Sequence, residues 1–442
     1  MRPFGDKAGR TSNSSSGPSP DDALVVSEAR HGDSLAAYSD GATNGPTDDN
    51  VTNTAAHDAA KRQPALGVAK LIFGTNVERI HIDTCRASNE KADRLRGLVV
   101  VFIGGTGGIG ESTARELFRR STAPKAYIVG RNKDKGTRLV EKLSKLNPSG
   151  TVTFIKKDCA LLSNVDEVCA DIRSREHKIN CLFLTAGYMT LKGRNETTEG
   201  LDRKMAVNYY SRMRYIFNLM PLLTAAAEAD ELSRVITVLA AGSEGDVRLD
   251  DLDLRHNFAL HACLAHCVLM SDFMMEELAK RYKGTSFSHS YPGTVKTGIA
   301  NELAGPARLA VKVLYAVMSP WILNVQESGE RHFFQITSKC YPPAQRGTGI
   351  EIPEGLSTMR GSNGETGSGA YLLDWDGQST GDERILKKYR EQDFGRIAWD
   401  HTMQMFEQAE QRQKSTGEKR SMSDTPEGSD RSGSAPVGWR AG

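Results

Sequence analysis

Residues 98–120 read LVVVFIGGTGGIGESTARELFRR and constrain the fold more than any other stretch. The apolar run 98–103 predicts a strand buried on both faces. A glycine-rich turn comes next, with Gly104, Gly105, Gly107, Gly108 and Gly110. From about Glu111 the residues Ala114, Leu117 and Phe118 recur on one helical face. Strand, glycine turn and helix in that order build a pyrophosphate cradle. Backbone N–H groups approach the phosphate where no Cβ intervenes, and the helix N-terminus adds partial positive charge. Such a turn can also simply join two packed elements, so the pattern of the remaining chain has to decide between the two.

Downstream, apolar runs of strand length alternate with helical patterns. Strands are expected at 126–129, 151–155, 179–184, 234–239, 286–290 and 370–374. Helices are expected at 87–96, 133–146, 165–172, 201–223, 260–280 and 382–408. Alternation of this kind folds as a parallel sheet with right-handed crossovers. The fold class is therefore α/β, a doubly wound Rossmann fold with three α/β/α layers.

Only 38% of the 442 residues are hydrophobic, which leaves part of the chain short of a core. The first 65 residues, rich in Ser, Gly, Asp and Asn, are expected to be a disordered extension. Residues 66–410 are expected to form one domain, and 411–442 a disordered tail. The formal net charge of +2 gives no field that would favour nucleic acid or an anionic membrane. The seven cysteines form no C-x-x-C pair, which predicts reduced thiols and no zinc site. No apolar leader opens the chain, and no run approaches the ~18 apolar residues that span a bilayer. The expected compartment is the cytoplasm. An apolar face over 308–325 is expected to cover a ligand crevice.

The glycine spacing is G-x-x-x-G-x-G, at Gly104, Gly108 and Gly110. Thr185-Ala186-Gly187 follows the fourth strand, Asn208 opens NYY, and Pro292-Gly293-Thr294-Val295-Lys296-Thr297 follows the sixth. This series resembles the short-chain dehydrogenase/reductase family over roughly residues 95–300. The phrases LKGRNETTEGLD, NYYSRMRYI and VQESGERHFFQ look like a fungal branch common in secondary-metabolite pathways. The resemblance implies a dinucleotide cofactor held by Gly104, Thr106, Gly108, Ile109 and Gly110. It places Asp158 at the adenine amine, Ala186 and Gly187 close to the cofactor, and Pro292, Gly293, Val295 and Thr297 at the nicotinamide carboxamide. Arg131 follows the second strand, where this fold meets the adenosine ribose. A basic residue there suits the 2′-phosphate of NADP, where NAD enzymes tend to carry an acidic one. The alternative for Arg131, less favoured, is a solvated surface charge, and Asp158 could equally be a helix N-cap.

The catalytic half departs from the family. Leu264 stands at the position of its tyrosine, Val268 at its lysine and Ala240 at its serine. Only Asn208 matches the fourth catalytic position. The one Y-x-x-x-K, Tyr188 to Lys192, falls in an expected loop, where that spacing has no fixed geometry. His261 and His266 flank the vacated tyrosine position and could act as general acids. Ser243, Tyr209 and Tyr210 are further candidates, and each of these residues could equally be a packing residue. The resemblance implies an NADPH-dependent oxidoreductase acting on a carbonyl or alcohol of a small, fairly apolar metabolite. The alternative is a non-redox relative that binds NADP as a sensor or catalyses a rearrangement or cyclisation. Homo-oligomers are common in that family, and the sequence leaves the oligomeric state open.

Overall fold

In strand β1, Val99–Ile103, all five residues are apolar and buried. A segment without a polar side chain finds its place at the centre of a covered sheet. Beside it run β2 (Lys125–Gly130), β3 (Thr151–Lys156), β4 (Cys181–Leu184), β5 (Arg234–Val238), β6 (Ser286–Ser290) and β7 (Ala370–Leu373). Every pairing is parallel, and the spatial order is β3-β2-β1-β4-β5-β6-β7. The strand order reverses between β1 and β4, which is where an open α/β sheet binds its ligand. The computed structural model describes residues 79–295 and 322–423, with side chains up to 415. The N-terminal extension, Thr297 and the apolar stretch 308–321 lie outside the described residues.

Alternate residues of each strand enter opposite cores. Val99, Val101 and Ile103 pack with Leu182 and Leu184 under α4 (Leu162–Arg175), α5 (Ser211–Glu228) and α6 (Leu260–Arg281). Val100 and Phe102 pack with Phe183 and Ile236 under α2 (Gly108–Arg120), α3 (Lys133–Leu146) and α7 (Val325–Thr337). The three layers are those expected.

The helices differ in detail. The first described helix, α1 (Ile82–Asn89), begins upstream of the expected 87–96 and passes into a 3₁₀ turn, Glu90–Arg94. The stretch 201–223 divides into Arg203–Met205, a π segment Ala206–Tyr210, and α5. Helix α7 falls where the sequence pattern predicts none, because VQESGERHFFQIT reads as polar. Most of its polar residues are nevertheless buried, and two of them are tied to the first helix region: Arg331 donates to the Ile80 carbonyl (2.9 Å), and Glu330 accepts from Arg86 (2.9 Å). The expected helix 382–408 breaks into α8 (Glu383–Arg390) and α9 (Phe394–Ser423), with Asp393 at φ 54° between them. Helix α9 also runs beyond residue 410, into the expected disordered tail. Phe394, Met405 and Phe406 are buried in the first core, and the Gln, Glu, Lys and Arg after them are good helix formers. No helix among the described residues is long and apolar enough to cross a membrane. All seven cysteines are buried and free, and no described cluster of His, Cys, Asp or Glu could hold a metal.

Candidate functional site

The glycine turn joins β1 to α2 and is closed from the side by the turn after β4. Gly104 has φ 90°, and a Cβ there would sit 2.5 Å from the Ala186 amide nitrogen. A Cβ on Gly110 would sit 2.8 Å from the Gly104 carbonyl and from Thr185 Oγ1. Only glycine permits this approach. At Gly107, by contrast, a Cβ would meet no protein atom within 4 Å. Gly107 is the N-cap of α2 and has no side chain to satisfy the helix's first N–H groups. Those donors are therefore left to a ligand, and the turn fits a pyrophosphate. Thr106 packs on Gly130, and Ile109 belongs to the second core, so Ile109 can serve a ligand only through its backbone.

Arg131 follows β2 directly and is exposed. Its neighbour Asn132 caps α3, accepting from the Lys135 amide (2.9 Å). Asp158 lies past the end of β3. Its Oδ1 accepts from the Ala160 amide (3.1 Å) and its Oδ2 from Arg203 (2.5 Å). It does not cap α4. Glu199 does that from a distant loop, accepting from the amides of Leu162 (2.6 Å) and Ser163 (2.9 Å). The Arg203 guanidinium also lies over the Tyr188 ring, 5.5 Å from its centroid, which ties the end of β3 to the β4 turn.

Asn208, in the π segment, clasps that β4 turn. Its Oδ1 accepts from the Tyr188 amide (3.2 Å) and its Nδ2 donates to the Tyr188 carbonyl (3.0 Å). After β6, Gly293 at φ 74° lies against Trp375, and Val295 is buried beside Leu323. The Tyr188 to Lys192 segment is loop, as expected.

The two histidine candidates differ in their surroundings. His261 is exposed at the start of α6. His266 is buried, and both ring nitrogens are occupied. The Arg248 amide donates to Nε2 (3.0 Å), so Nδ1 carries the proton, which it donates to the Leu252 carbonyl (3.1 Å). Burial lowers its pKa, which keeps it neutral. His266 thus holds the loop before α6, and the general-acid expectation for it is corrected. Tyr209 and Tyr210 are corrected likewise: both are fully buried, and their hydroxyls bond Thr402 (2.6 Å) and His401 (2.8 Å) on α9. Ser243 is exposed on the β5 turn. Leu264 is 48% exposed and Val268 is buried.

Buried polar groups that no sequence motif marks hold the β5 turn. The Ala240 amide donates to His289 Nε2 (3.2 Å), so His289 presents Nδ1–H to Asp272 Oδ1 (2.5 Å). Burial pushes the His289 pKa down to about 3. Burial and the Glu244 and Glu276 carboxylates push Asp272 well above the usual carboxylate range. His289 is therefore uncharged, and its contact with Asp272 is a hydrogen bond and not an ion pair. Glu244 accepts from the amides of Gly242 (2.7 Å) and Asp382 (2.8 Å). The only sequence signal for this network is a histidine within a strand and an acid within an apolar helix.

A profile of the family described as short chain dehydrogenase matches residues 98–244. The chain is 42% identical over 337 residues to "Oxidoreductase AN1596" of Emericella nidulans, covering 75% of this chain and 99% of that protein. It is 35% identical to "Oxidoreductase andH" of Emericella variicolor, covering 70% and 91%. It is 28% identical to "Short-chain dehydrogenase/reductase SAT2" of Stachybotrys chartarum, covering 74% and 96%. The chain belongs to the short-chain dehydrogenase/reductase family of NAD(P)-linked oxidoreductases.

Proposed function

We propose that this protein is an NADPH-dependent reductase of a small, fairly apolar carbonyl compound, working in the cytoplasm in fungal secondary metabolism. The observation that carries this reading is the glycine cradle, closed by the β4 turn, with Arg131 at the end of β2. Gly104 and Gly110 close the cradle against the β4 turn, Gly107 leaves it open to the pyrophosphate, and Arg131 offers a fork of donors to a 2′-phosphate. Bound NADPH would supply the hydride. The chain's own part is to hold the dinucleotide and to present an apolar surface to the acceptor. Met189, Leu191, Leu260 and Leu264 are 46%, 62%, 39% and 48% exposed, all on segments at the carboxyl end of the sheet. The named relatives are fungal oxidoreductases, which supports the pathway class.

Ala240, Leu264 and Val268 stand at the usual proton-handling positions, so in this reading water supplies the acceptor's proton. Losing a positioned acid slows such a step by about 10²–10⁴-fold. The same three residues favour a second reading, a member that binds the dinucleotide and catalyses no hydride transfer. Calorimetry with NADPH and NADH, on the wild type and Arg131→Asp, tests the cofactor. The expected result is tighter NADPH binding, lost in the variant, and an unchanged preference removes the NADP assignment. A panel of carbonyl compounds then separates the two readings, since product formed without NADPH consumption selects the second.

A further inference from the structure

Arg212 lies one helical turn beyond Asn208, in the first turn of α5, and is 2% exposed. Its guanidinium forks across two strands. Nη1 donates to Thr237 Oγ1 (2.6 Å) and the Val238 carbonyl (2.9 Å), and Nη2 donates to the Ala186 carbonyl (2.7 Å). Nε is buried without a partner. Every group it bonds is neutral. Burial lowers its pKa only to about 10, so it stays charged at neutral pH. The titratable groups coupled to it are Cys267 and Cys159, thiols whose own pKa is raised, and His289, which is held uncharged, and none of them supplies counter-charge. A buried cation without a counter-ion is costly, and an apolar residue would pack the site at lower cost. Packing alone does not account for it.

Its position gives the charge a use. Ala186 and Val238 mark the carboxyl ends of β4 and β5, neighbouring strands beyond the reversal at β1. With Arg131 and Asp158 assigning the adenosine to the β1–β3 side, the nicotinamide falls on the β4–β5 side. Resting on the NADPH reading above, we propose that Arg212 is a positioning residue with an electrostatic role. Its fork fixes the two turns beside the nicotinamide, and its uncompensated charge makes the site hold the neutral reduced ring more tightly than the cationic oxidised ring. Spent cofactor then leaves more readily than fresh cofactor.

The test is the ratio of two dissociation constants, for NADP⁺ and NADPH, measured by calorimetry on the full chain. The wild type is expected to favour NADPH by about tenfold or more, which corresponds to ~1.4 kcal/mol. Arg212→Met should bring the ratio close to one. Arg212→Lys, which keeps the charge but not the fork, should weaken both ligands and preserve the ratio. A merely structural arginine would change both affinities together in either variant. Should the methionine variant fail to fold, Arg212→Gln against Arg212→Lys makes the same comparison of neutral and charged side chains. A wild-type ratio near one, or a ratio that survives loss of the charge, overturns the proposal while leaving the NADPH reading intact. If neither NADPH nor NADP⁺ binds, the NADPH reading falls and this proposal falls with it.

Discussion

The two halves of the sheet make their ends in different ways. Around β1, β2 and β3 the site is mostly backbone: Gly104 and Gly110 pressed against the β4 turn, and Gly107 leaving helix donors uncovered. Around β4, β5 and β6 the backbone turns are held by buried side chains from elsewhere in the chain. Arg212 on α5, and His289 on β6 with Asp272 on α6, each bond a turn from a different element. The first half is complete with small residues and keeps the family's pattern. The second half can lose its reacting side chains and still keep its shape, because its shape never depended on them.

The glycines provide the largest test of this contrast. At Gly104 an alanine would combine φ 90° with a backbone atom 2.5 Å away, and neither can relax cheaply. Gly104→Ala should cost about 3 kcal/mol in urea melts and abolish NADPH binding. Gly107 is extended at φ 179°, which any residue adopts, and its Cβ meets no protein atom. Gly107→Ala should therefore leave the melt unchanged and still weaken NADPH by about tenfold or more. A Gly107→Ala variant that binds normally would mean that the turn is only a connection.

The same contrast explains what is legible in the sequence. The strand–turn–helix at 98–120 can be read because its chemistry is local, set by glycine spacing within one turn. The parallel sheet follows from the alternation of elements, and Ala186 and Gly187 from their place after a strand. Arg212, His289 and Asp272 cannot be read, since each acquires its role from residues 17 to 49 positions away. His266 misleads because a helix histidine beside a vacated position looks catalytic until its two loop bonds are seen. Helix α7 escapes the pattern for a related reason: its polar face is buried against α1 and α2, so polarity does not mean solvent.

Helix α7 also supplies an acid-sensitive contact for the second half. His332 stacks edge-on against Phe183 of β4, with ring centroids 5.6 Å apart. Its Nδ1 bonds the Ser328 carbonyl (2.6 Å), and its Nε2 is buried without a partner. Burial lowers its pKa from 6.5 to about 4. Between those values the unfolded chain binds a proton that the folded chain refuses, so stability falls as pH drops below 6.5. At pH 5 this one residue should cost roughly 2 kcal/mol relative to pH 7, at 1.36 kcal/mol per pH unit. Urea melts at the two pH values should show a smaller loss in His332→Gln. An equal loss in the variant would place the acid-sensitive group elsewhere.

The smallest expected effect concerns turnover, at the two histidines beside Leu264. If the second half is a shaped surface without a proton donor, neither histidine should matter to chemistry. His261 is exposed, and His261→Ala should change kcat by less than about twofold. His266→Gln removes a ring that joins the Arg248 amide to the Leu252 carbonyl, and it should cost about 1–3 kcal/mol of stability. Per folded molecule, however, its kcat for NADPH oxidation should stay within about threefold of the wild type. A loss of about 10² or more would be the signature of a general acid. Such a loss in either variant would return a proton donor to this half of the site and break the contrast between the two ends of the sheet.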